Sequence, residues 1–244
     1  MEKIGVLGVE FNSLTTAQAV SAALSKDVAA DNSAFIVTPN PEIVWLARSD
    51  PELKAAIAAA ALVLPDGIGI IYGARILGTP LRGRVTGIGF AEECFEQLAA
   101  QGKSVFLLGA KPGVAETAGE KLAKRFRGLK IAGIHDGYFT DDDTVIGEIN
   151  AANADFLLVC LGAPKQELWI YRNRAKLKVP LAACLGGALD VWAGTVKRAP
   201  RALQRLGLEW LYRLIKEPKR IGRMMSLPKF LFAVIGVRLR GKNG

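Results

Sequence analysis

The strongest constraint on the fold is a series of short apolar runs that alternate with helical patterns over residues 1–196. The run at residues 156–161 is apolar throughout, which is typical of a strand buried on both faces. Such runs predict strands at Lys3–Val9, Ala34–Thr38, Ala61–Pro65, Ser104–Gly109, Lys130–Ile134, Asp155–Leu161 and Pro180–Leu185. Helices are predicted at Thr15–Ser25, Pro51–Ala60, Phe90–Ala100, Val114–Phe126, Asp141–Ala152 and Lys165–Lys176. The alternation predicts an α/β fold, with a mostly parallel Rossmann-like sheet and helices on both faces.

Charge divides the chain near residue 197. Of the 32 Lys and Arg residues, 13 lie in residues 197–244, where the acids are Glu209 and Glu217. Residues 1–196 hold 19 basic and 21 acidic residues, so the formal net charge of +9 belongs to the C-terminal segment. The sequence therefore predicts an α/β catalytic core over residues 1–196 and a basic helical appendage over residues 197–244. The asymmetry indicates an anionic partner for the appendage.

The appendage has an amphipathic pattern. An apolar stripe of three- and four-residue steps is formed by Leu203, Leu206, Trp210, Leu211 and Leu214. A basic segment with aromatic residues suits an interfacial membrane anchor, whereas a terminal helix packed on the core, or on a second subunit, fits the same pattern. No apolar run approaches the roughly 18 residues that span a bilayer, and the N-terminus lacks a signal-peptide pattern. We therefore expect a cytoplasmic location.

Metal and disulfide signals are weak. Cys94, Cys160 and Cys184 are far apart and form no CxxC pair, which indicates reduced thiols rather than a disulfide framework or a zinc site. The acids at residues 141–143 resemble the aspartate clusters that hold a metal in many sugar transferases. However, Thr140 is a good N-cap, and acids suit the first turn of a helix. We expect neither a metal nor another cofactor.

Candidate catalytic residues follow the predicted strands, where open α/β sheets bind their ligands. Thr38 and Asn40 follow the second predicted strand, and Asp66 follows the third. The carboxylate of Asp66 could accept a proton from a sugar hydroxyl, or it could cap the helix that starts near Ile68. The hydroxyl of Thr38 could contact a substrate or cap the turn that follows it.

Other positions suit a phosphate or a nucleotide. Gly109 begins a Gly-Ala-Lys-Pro-Gly turn before a strong helix, where backbone N–H groups could bind phosphate or ribose, although an ordinary turn also fits. Arg84 could bind a diphosphate through two parallel hydrogen bonds, or it could be a solvated loop charge. Gln166 could read a sugar or a uracil edge, whereas Glu167 suits the helix dipole.

Short motifs occur in a fixed order along essentially the whole chain. They are Thr38-Pro-Asn, Pro65-Asp-Gly, Arg84-Val-Thr-Gly87, Leu108-Gly-Ala, Gly137-Tyr-Phe139, Gly162-Ala-Pro-Lys-Gln-Glu167, Gly186-Gly-Ala-Leu-Asp190 and Arg198-Ala-Pro-Arg201. Their order and spacing resemble the WecG/TagA/CpsF glycosyltransferase family, also called glycosyltransferase family 26. One departure is Gly89, where the resemblance implies an acidic residue.

The resemblance implies an inverting β-1,4 transfer of N-acetylmannosamine. The donor would be UDP-N-acetylmannosamine, and the acceptor would be undecaprenyl-diphosphate-linked N-acetylglucosamine. This reaction belongs to the synthesis of the wall teichoic acid linkage unit. It would place the protein on the inner face of the cytoplasmic membrane as a peripheral enzyme. Family members with N-acetylmannosaminuronic acid or glucose donors leave the sugar open.

The resemblance also implies roles for individual residues. Asp66 would be the catalytic base, and Thr38 would contact the sugar beside it. Substrate binding would fall to Asn40, Arg84, Gly109, Gln166 and the appendage residues Arg213, Arg220 and Arg223. Without a metal, arginines would neutralise the diphosphate that leaves.

Two other classes of protein fit the sequence less well. A dehydrogenase would need a GxGxxG motif, which is missing. A nucleic-acid or membrane adaptor could use the basic appendage, but it would leave Asp66, Thr38 and Gln166 unexplained. The expected partners are therefore a UDP-sugar, a polyprenyl-diphosphate-linked acceptor and the membrane surface, without nucleic acid. Self-association through the apolar stripe stays open.

Overall fold

The chain begins with an antiparallel hairpin of β1 (Lys3–Val6) and β2 (Val9–Asn12). The single strand predicted over residues 3–9 is therefore wrong. Leu7 and Gly8 both have positive φ, of 50° and 85°, and they form the turn between the two strands. The side chain of Asn12 accepts a hydrogen bond of 2.8 Å from the backbone N–H of Val63, which ties the hairpin to the main sheet.

A six-stranded parallel sheet is the centre of the fold. The computed structural model describes residues 1–25, 28, 34–216 and 221–241. Within them the sheet contains β3 (Ala34–Val37), β4 (Leu62–Val63), β5 (Ser104–Gly109), β6 (Lys130–His135), β7 (Phe156–Cys160) and β8 (Leu181–Cys184). The spatial order is β4-β3-β8-β7-β5-β6. Because all these strands are parallel, their carboxyl ends lie at one edge of the sheet.

Helices follow nearly every strand. The core helices are α1 (Thr16–Ala23), α2 (Pro41–Ala47), α3 (Pro51–Ala58), α4 (Ile68–Leu77), α5 (Gly87–Ala100), α6 (Val114–Arg125), α7 (Asp142–Ala151), α8 (Lys165–Asn173) and α9 (Ala188–Ala193). The appendage contains α10 (Arg201–Arg205), α11 (Glu209–Lys216), α12 (Ile221–Met224) and α13 (Ser226–Arg240).

The apolar strands are buried on both faces, as the sequence predicts. Along β3, Phe35 and Val37 belong to one hydrophobic cluster, whereas Ala34 and Ile36 belong to a second cluster on the opposite face of the sheet. Side chains alternate between the two faces of a strand, so a continuously apolar strand fills both clusters. This arrangement confirms the predicted α/β class.

The last helix of the appendage packs into the core. In α13, Phe230 is 2% exposed and Val234 is fully buried in the same cluster as the core residues of β3 and α4. Gly73 of α4 permits this approach, because a Cβ at that position would lie 3.0 Å from the ring of Phe230. In contrast, Leu206 of the predicted apolar stripe is 65% exposed. Over the described ranges, no helix is both long enough and apolar enough to cross a membrane.

Candidate active site

A cavity of about 1350 Å³ opens where the carboxyl ends of the strands meet the appendage. The core contributes residues that follow β3, β4, β7 and β8, including Thr38, Asp66 and Gln166. The appendage contributes Leu208 and Trp210, together with residues at the start of α13. The cavity therefore lies at the edge of the sheet that the sequence predicts, and the appendage forms part of its wall.

Asp66 follows β4 and lines this cavity. Its Oδ1 accepts a hydrogen bond of 2.7 Å from the N–H of Gly67, and its Oδ2 accepts a longer bond of 3.5 Å from the N–H of Gly87. The N-cap of α4 is Gly67, which makes no side-chain capping bond, so Asp66 does not cap that helix. Two backbone amides instead fix its carboxylate beside the cavity.

The surroundings of Asp66 raise the pKa of its carboxyl. Burial raises the pKa of its carboxyl, the guanidinium of Arg84 opposes that rise, and the carboxylate of Glu209 adds to it. The pKa stays above the ordinary value of an aspartate. A carboxylate with a raised pKa holds an abstracted proton more readily. Glu209 belongs to α11, so the appendage contributes to the electrostatics of this site.

Arg84 connects the core to the appendage. Its Nη2 donates a hydrogen bond of 3.2 Å to the carbonyl oxygen of Gln204 in α10. Arg84 also lines the cavity with Asp66. Arg84 is thus a cavity residue and not a solvated loop charge.

Thr38 and Asn40 follow β3 and line the same cavity as Asp66. The hydroxyl of Thr38 is buried and donates to the carbonyl oxygen of Cys184 on β8 at 3.3 Å, so it does not cap the turn after β3. That task falls to Asn40, whose Oδ1 accepts from the N–H of Ile43 at 3.1 Å as the N-cap of α2. Both residues line the cavity, as their predicted contact with a substrate requires.

Gln166 and Glu167 form a buried pair at the start of α8. Gln166 is 3% exposed; its Oε1 accepts from the N–H of Gly186, and its Nε2 donates to Oε1 of Glu167, both at 2.8 Å. Glu167 is fully buried, and its Oε2 has no hydrogen-bond partner among the described residues. Burial raises the pKa of the Glu167 carboxyl. The prediction that Glu167 interacts with the helix dipole did not take this burial into account.

Gly109, the last residue of β5, does not line the cavity. Its φ is 132°, and a Cβ at this position would lie 2.3 Å from the carbonyl oxygen of Cys160, so a side chain would separate β5 from β7. The next residues, Ala110 and Lys111, do line the cavity. The turn after β5 therefore faces the site through the residues that follow Gly109.

The acidic run at residues 141–143 caps a helix. Asp141, rather than the predicted Thr140, is the N-cap of α7, and its Oδ1 accepts from the N–H of Asp143 at 3.1 Å. In the part of the chain that the structure describes, no group of three or more His, Cys, Asp or Glu residues could hold a metal ion. The three cysteines are buried and free, and burial raises the pKa of Cys160 to about 12.

The structure describes the three predicted appendage arginines only in part. Arg213 belongs to α11 and Arg223 to α12, but their side chains lie outside the described residues, as does the whole of Arg220. Sequence reasoning gave no role to several charged residues that line the cavity, among them Arg198 and Glu209. The Arg-Ala-Pro-Arg motif was the one signal for Arg198.

Comparison with known proteins identifies the family. The model of the WecG/TagA/CpsF glycosyl transferase family matches residues 4–244. The chain belongs to this family. A relative from Bacillus spizizenii, named N-acetylglucosaminyldiphosphoundecaprenol N-acetyl-beta-D-mannosaminyltransferase, is 40% identical over 206 residues, which cover 84% of this chain and 80% of the relative. A Staphylococcus aureus MW2 protein of the same name is 35% identical over 242 residues, which cover 99% of this chain and 95% of that relative. As a member of the WecG/TagA/CpsF family, the protein is a glycosyltransferase.

Proposed function

We propose that the protein transfers N-acetylmannosamine from UDP-N-acetylmannosamine to undecaprenyl-diphosphate-linked N-acetylglucosamine, forming a β-1,4 bond in the wall teichoic acid linkage unit. Two relatives named for this transfer support the proposal, one of which matches almost the whole chain. The observation that carries it is Asp66, a half-buried carboxylate with a raised pKa in a large cavity beside Arg84.

Asp66 is the base in this proposal. It accepts the proton from the 4-hydroxyl of the acceptor sugar as that oxygen forms a bond to C1 of the donor sugar. The bond between C1 and the diphosphate oxygen breaks on the opposite face, and its electron pair leaves with UDP. The configuration at C1 is inverted. Thr38 lies close to this reaction centre, since a Cβ on Gly87, whose N–H contacts Asp66, would lie 3.3 Å from the hydroxyl of Thr38.

Arginines neutralise the leaving diphosphate in this proposal. Arg84 lines the cavity beside Asp66, and the appendage can add Arg213, Arg220 and Arg223. A guanidinium suits a diphosphate because its donors match two phosphate oxygens at once. The UDP-sugar is then the substrate, and the reaction needs no resident cofactor. Asn40 and Gln166, which line the same cavity, contact the sugar or the nucleotide.

The appendage over residues 197–244 has a second role in the proposal, which is to hold the enzyme on the inner face of the cytoplasmic membrane. In α13, Phe232 is 73% exposed, and Val237 and Leu239 are also exposed. Arg238 and Arg240 lie in the last turn of the same helix. Apolar side chains can enter the lipid interface, and each basic residue near an anionic surface contributes about 1 kcal/mol. Membrane binding brings the cavity to its lipid-linked acceptor.

The test compares the wild type with Asp66→Asn. The substrates are UDP-N-acetylmannosamine and N-acetylglucosamine linked by diphosphate to a short lipid chain. We expect turnover by the wild type and a loss of about 10²- to 10⁴-fold in kcat for the variant, the usual contribution of a general base. The thermal unfolding midpoint of the variant should stay close to that of the wild type, because asparagine keeps the shape of the side chain.

The outcomes test the proposed reaction and the role of Asp66 independently. Equal turnover by both proteins keeps the reaction and removes Asp66 as its base. Wild-type turnover only with UDP-glucose or with the UDP conjugate of N-acetylmannosaminuronic acid keeps the family reaction and changes the donor. No turnover with any of the three donors would contradict the proposed donor and acceptor.

A further inference from the structure

Arg198 lines the cavity, and its guanidinium is incompletely paired among the described residues. Its side chain is 25% exposed, yet its Nε atom is buried and has no hydrogen-bond partner among the described residues. Its nearest acidic partner among them is Oε1 of Glu209, 3.6 Å from Nε, which is too long for a hydrogen bond. A buried donor without an acceptor is costly, so it indicates a group that is completed by a ligand.

Arg198 lies where two cavities meet. It lines the large cavity with Asp66, and it lines a smaller one of about 360 Å³ between α5, α6 and α9. In the smaller cavity, Glu92 already receives two hydrogen bonds from Arg125, of 2.7 and 2.8 Å, and one from the indole of Trp192. Among the described residues Arg198 makes no hydrogen bond to Glu92, although its charge is one of those that oppose the effect of burial on the pKa of that carboxyl.

The position of Arg198 along the cavity points to the reaction centre. Glu209, its acidic neighbour, also acts on the carboxylate of Asp66. The two lysines that line the cavity follow other strands of the sheet, Lys165 after β7 and Lys111 after β5. Neighbouring strands are about 4.8 Å apart, so the strands that these lysines follow lie roughly 14 and 19 Å from β4, which Asp66 follows. Arg84 and Arg198 are the two arginines among the described residues that line the cavity with Asp66.

Arg84 has less capacity for a ligand, because one of its terminal nitrogens donates to the carbonyl of Gln204. A diphosphate that leaves from the sugar carries its new charge on the oxygen of the β-phosphate, a few ångströms from the base. A cation with free donors at this point stabilises that charge more than it stabilises the bound donor.

We propose that Arg198 binds the β-phosphate of the nucleoside diphosphate and neutralises it as the glycosidic bond breaks, and that Glu209 holds the guanidinium in place while the cavity is empty. This inference rests on the proposed function. Arg198 exchanges a loose ion pair with Glu209 for charge-assisted hydrogen bonds to the phosphate oxygens. The arginine comes from the segment between α9 and α10, ahead of the appendage arginines Arg213, Arg220 and Arg223.

The test measures binding of UDP and UMP, which differ by the β-phosphate, to the full-length chain by calorimetry. In the wild type we expect UDP to bind more tightly than UMP. In Arg198→Gln we expect UDP affinity to fall about ten- to a hundredfold, the loss of hydrogen bonds to a charged group. UMP affinity should stay within about twofold. The UDP affinity of Arg198→Lys should lie between those of the wild type and Arg198→Gln, because lysine keeps the charge and loses the paired donors.

Glu209→Gln is the matched control. If Arg198 served only to dock α11 through Glu209, removing either partner would weaken UDP binding equally, and that result overturns the proposal. The proposal predicts that Glu209→Gln keeps or increases UDP affinity. An equal loss of UDP and UMP affinity in Arg198→Gln, or no loss of either, also overturns it. Failure of the wild type to bind both nucleotides is a different result, since it removes the UDP-sugar donor of the proposed function and this inference with it.

Discussion

At the scale of single residues, the site depends on charges that shift the pKa of Asp66 in opposite directions. Burial raises that pKa most; against this background Arg84 lowers it through its positive charge, and Glu209 raises it through its negative charge. In the proposed reaction, Asp66 can accept a proton only when it is ionised. The acidic limb of the pH-rate profile should therefore report its pKa.

Substitutions of these two neighbours should move the acidic limb in opposite directions. Arg84→Gln removes a charge that lowers the pKa of Asp66, so the carboxyl stays protonated to a higher pH and the limb moves upward. Glu209→Gln removes a charge that raises the pKa, so the limb moves to lower pH. The measurement is kcat/KM against pH for the three proteins. A shift in the same direction for both variants, whatever their maximal rates, would contradict the assignment of Asp66 as the base.

Glu167 should influence how stability changes with pH. Burial raises its folded pKa above the unfolded value of about 4.3, so its contribution to stability is complete below that pH and is lost as pH rises through the folded pKa. Glu167→Gln keeps an acceptor for Nε2 of Gln166 and cannot ionise. We therefore expect the unfolding midpoint of this variant, relative to the wild type, to be higher at pH 7.5 than at pH 5.

Glu167→Leu is the contrasting variant. It removes the acceptor of the Gln166 amide and leaves a buried donor unpaired, which costs about 1–3 kcal/mol of unfolding free energy at either pH. An identical midpoint difference for Glu167→Gln at both pH values would mean that Glu167 is ionised to the same extent in the folded and unfolded protein.

At the scale of helices and strands, much of the fold could be predicted because the core strands are apolar on both faces. The predictions for β5 and β7 coincide with the observed strands to within one residue at each end. The hairpin was missed because Leu7 in its turn has a positive φ, a conformation that the residue pattern does not predict. The positions of Asp66 and Thr38 in the site could be predicted because both residues come after the carboxyl end of a strand. The contact between Arg198 and Glu209 could not, because it depends on how the appendage packs against the core.

Gly207 permits the appendage to approach the site. It precedes α11 with a φ of 72°, and a Cβ there would lie 2.7 Å from Cβ of Ile68, the first residue of α4. Gly207→Ala must therefore both adopt a strained backbone, at about 1–2 kcal/mol, and move away from Ile68. We expect roughly tenfold or greater loss of transfer activity, with a smaller change in the unfolding midpoint because the main sheet is untouched.

Gly222→Ala is the matched control, since a Cβ at Gly222 of α12 would meet nothing within 4 Å. Its transfer activity should equal that of the wild type. If both glycine variants lose activity to the same degree, the tight contact with Ile68 does not explain the effect.

At the scale of the whole molecule, the last helix has two unlike sides. Phe230 and Val234 complete the core, whereas Phe232 and Leu239 are exposed on the same helix. A truncation that removes the appendage would therefore confound two effects, because it opens the core and removes the candidate membrane surface together. Substitutions on one side at a time separate the two.

Phe232→Ser with Leu239→Ser should weaken binding to vesicles of anionic phospholipid about tenfold or more, because two exposed apolar side chains no longer enter the interface. The unfolding midpoint and the transfer rate to a short-chain acceptor in solution should stay close to the wild type. The rate with a full-length lipid acceptor in vesicles should fall. Phe230→Ser is the contrasting variant: it should lower the unfolding free energy by several kcal/mol, because it opens a cavity in the core. Equal vesicle binding by the wild type and the double variant would show that this face does not contact the membrane, and the exposed side chains would then have to serve another partner.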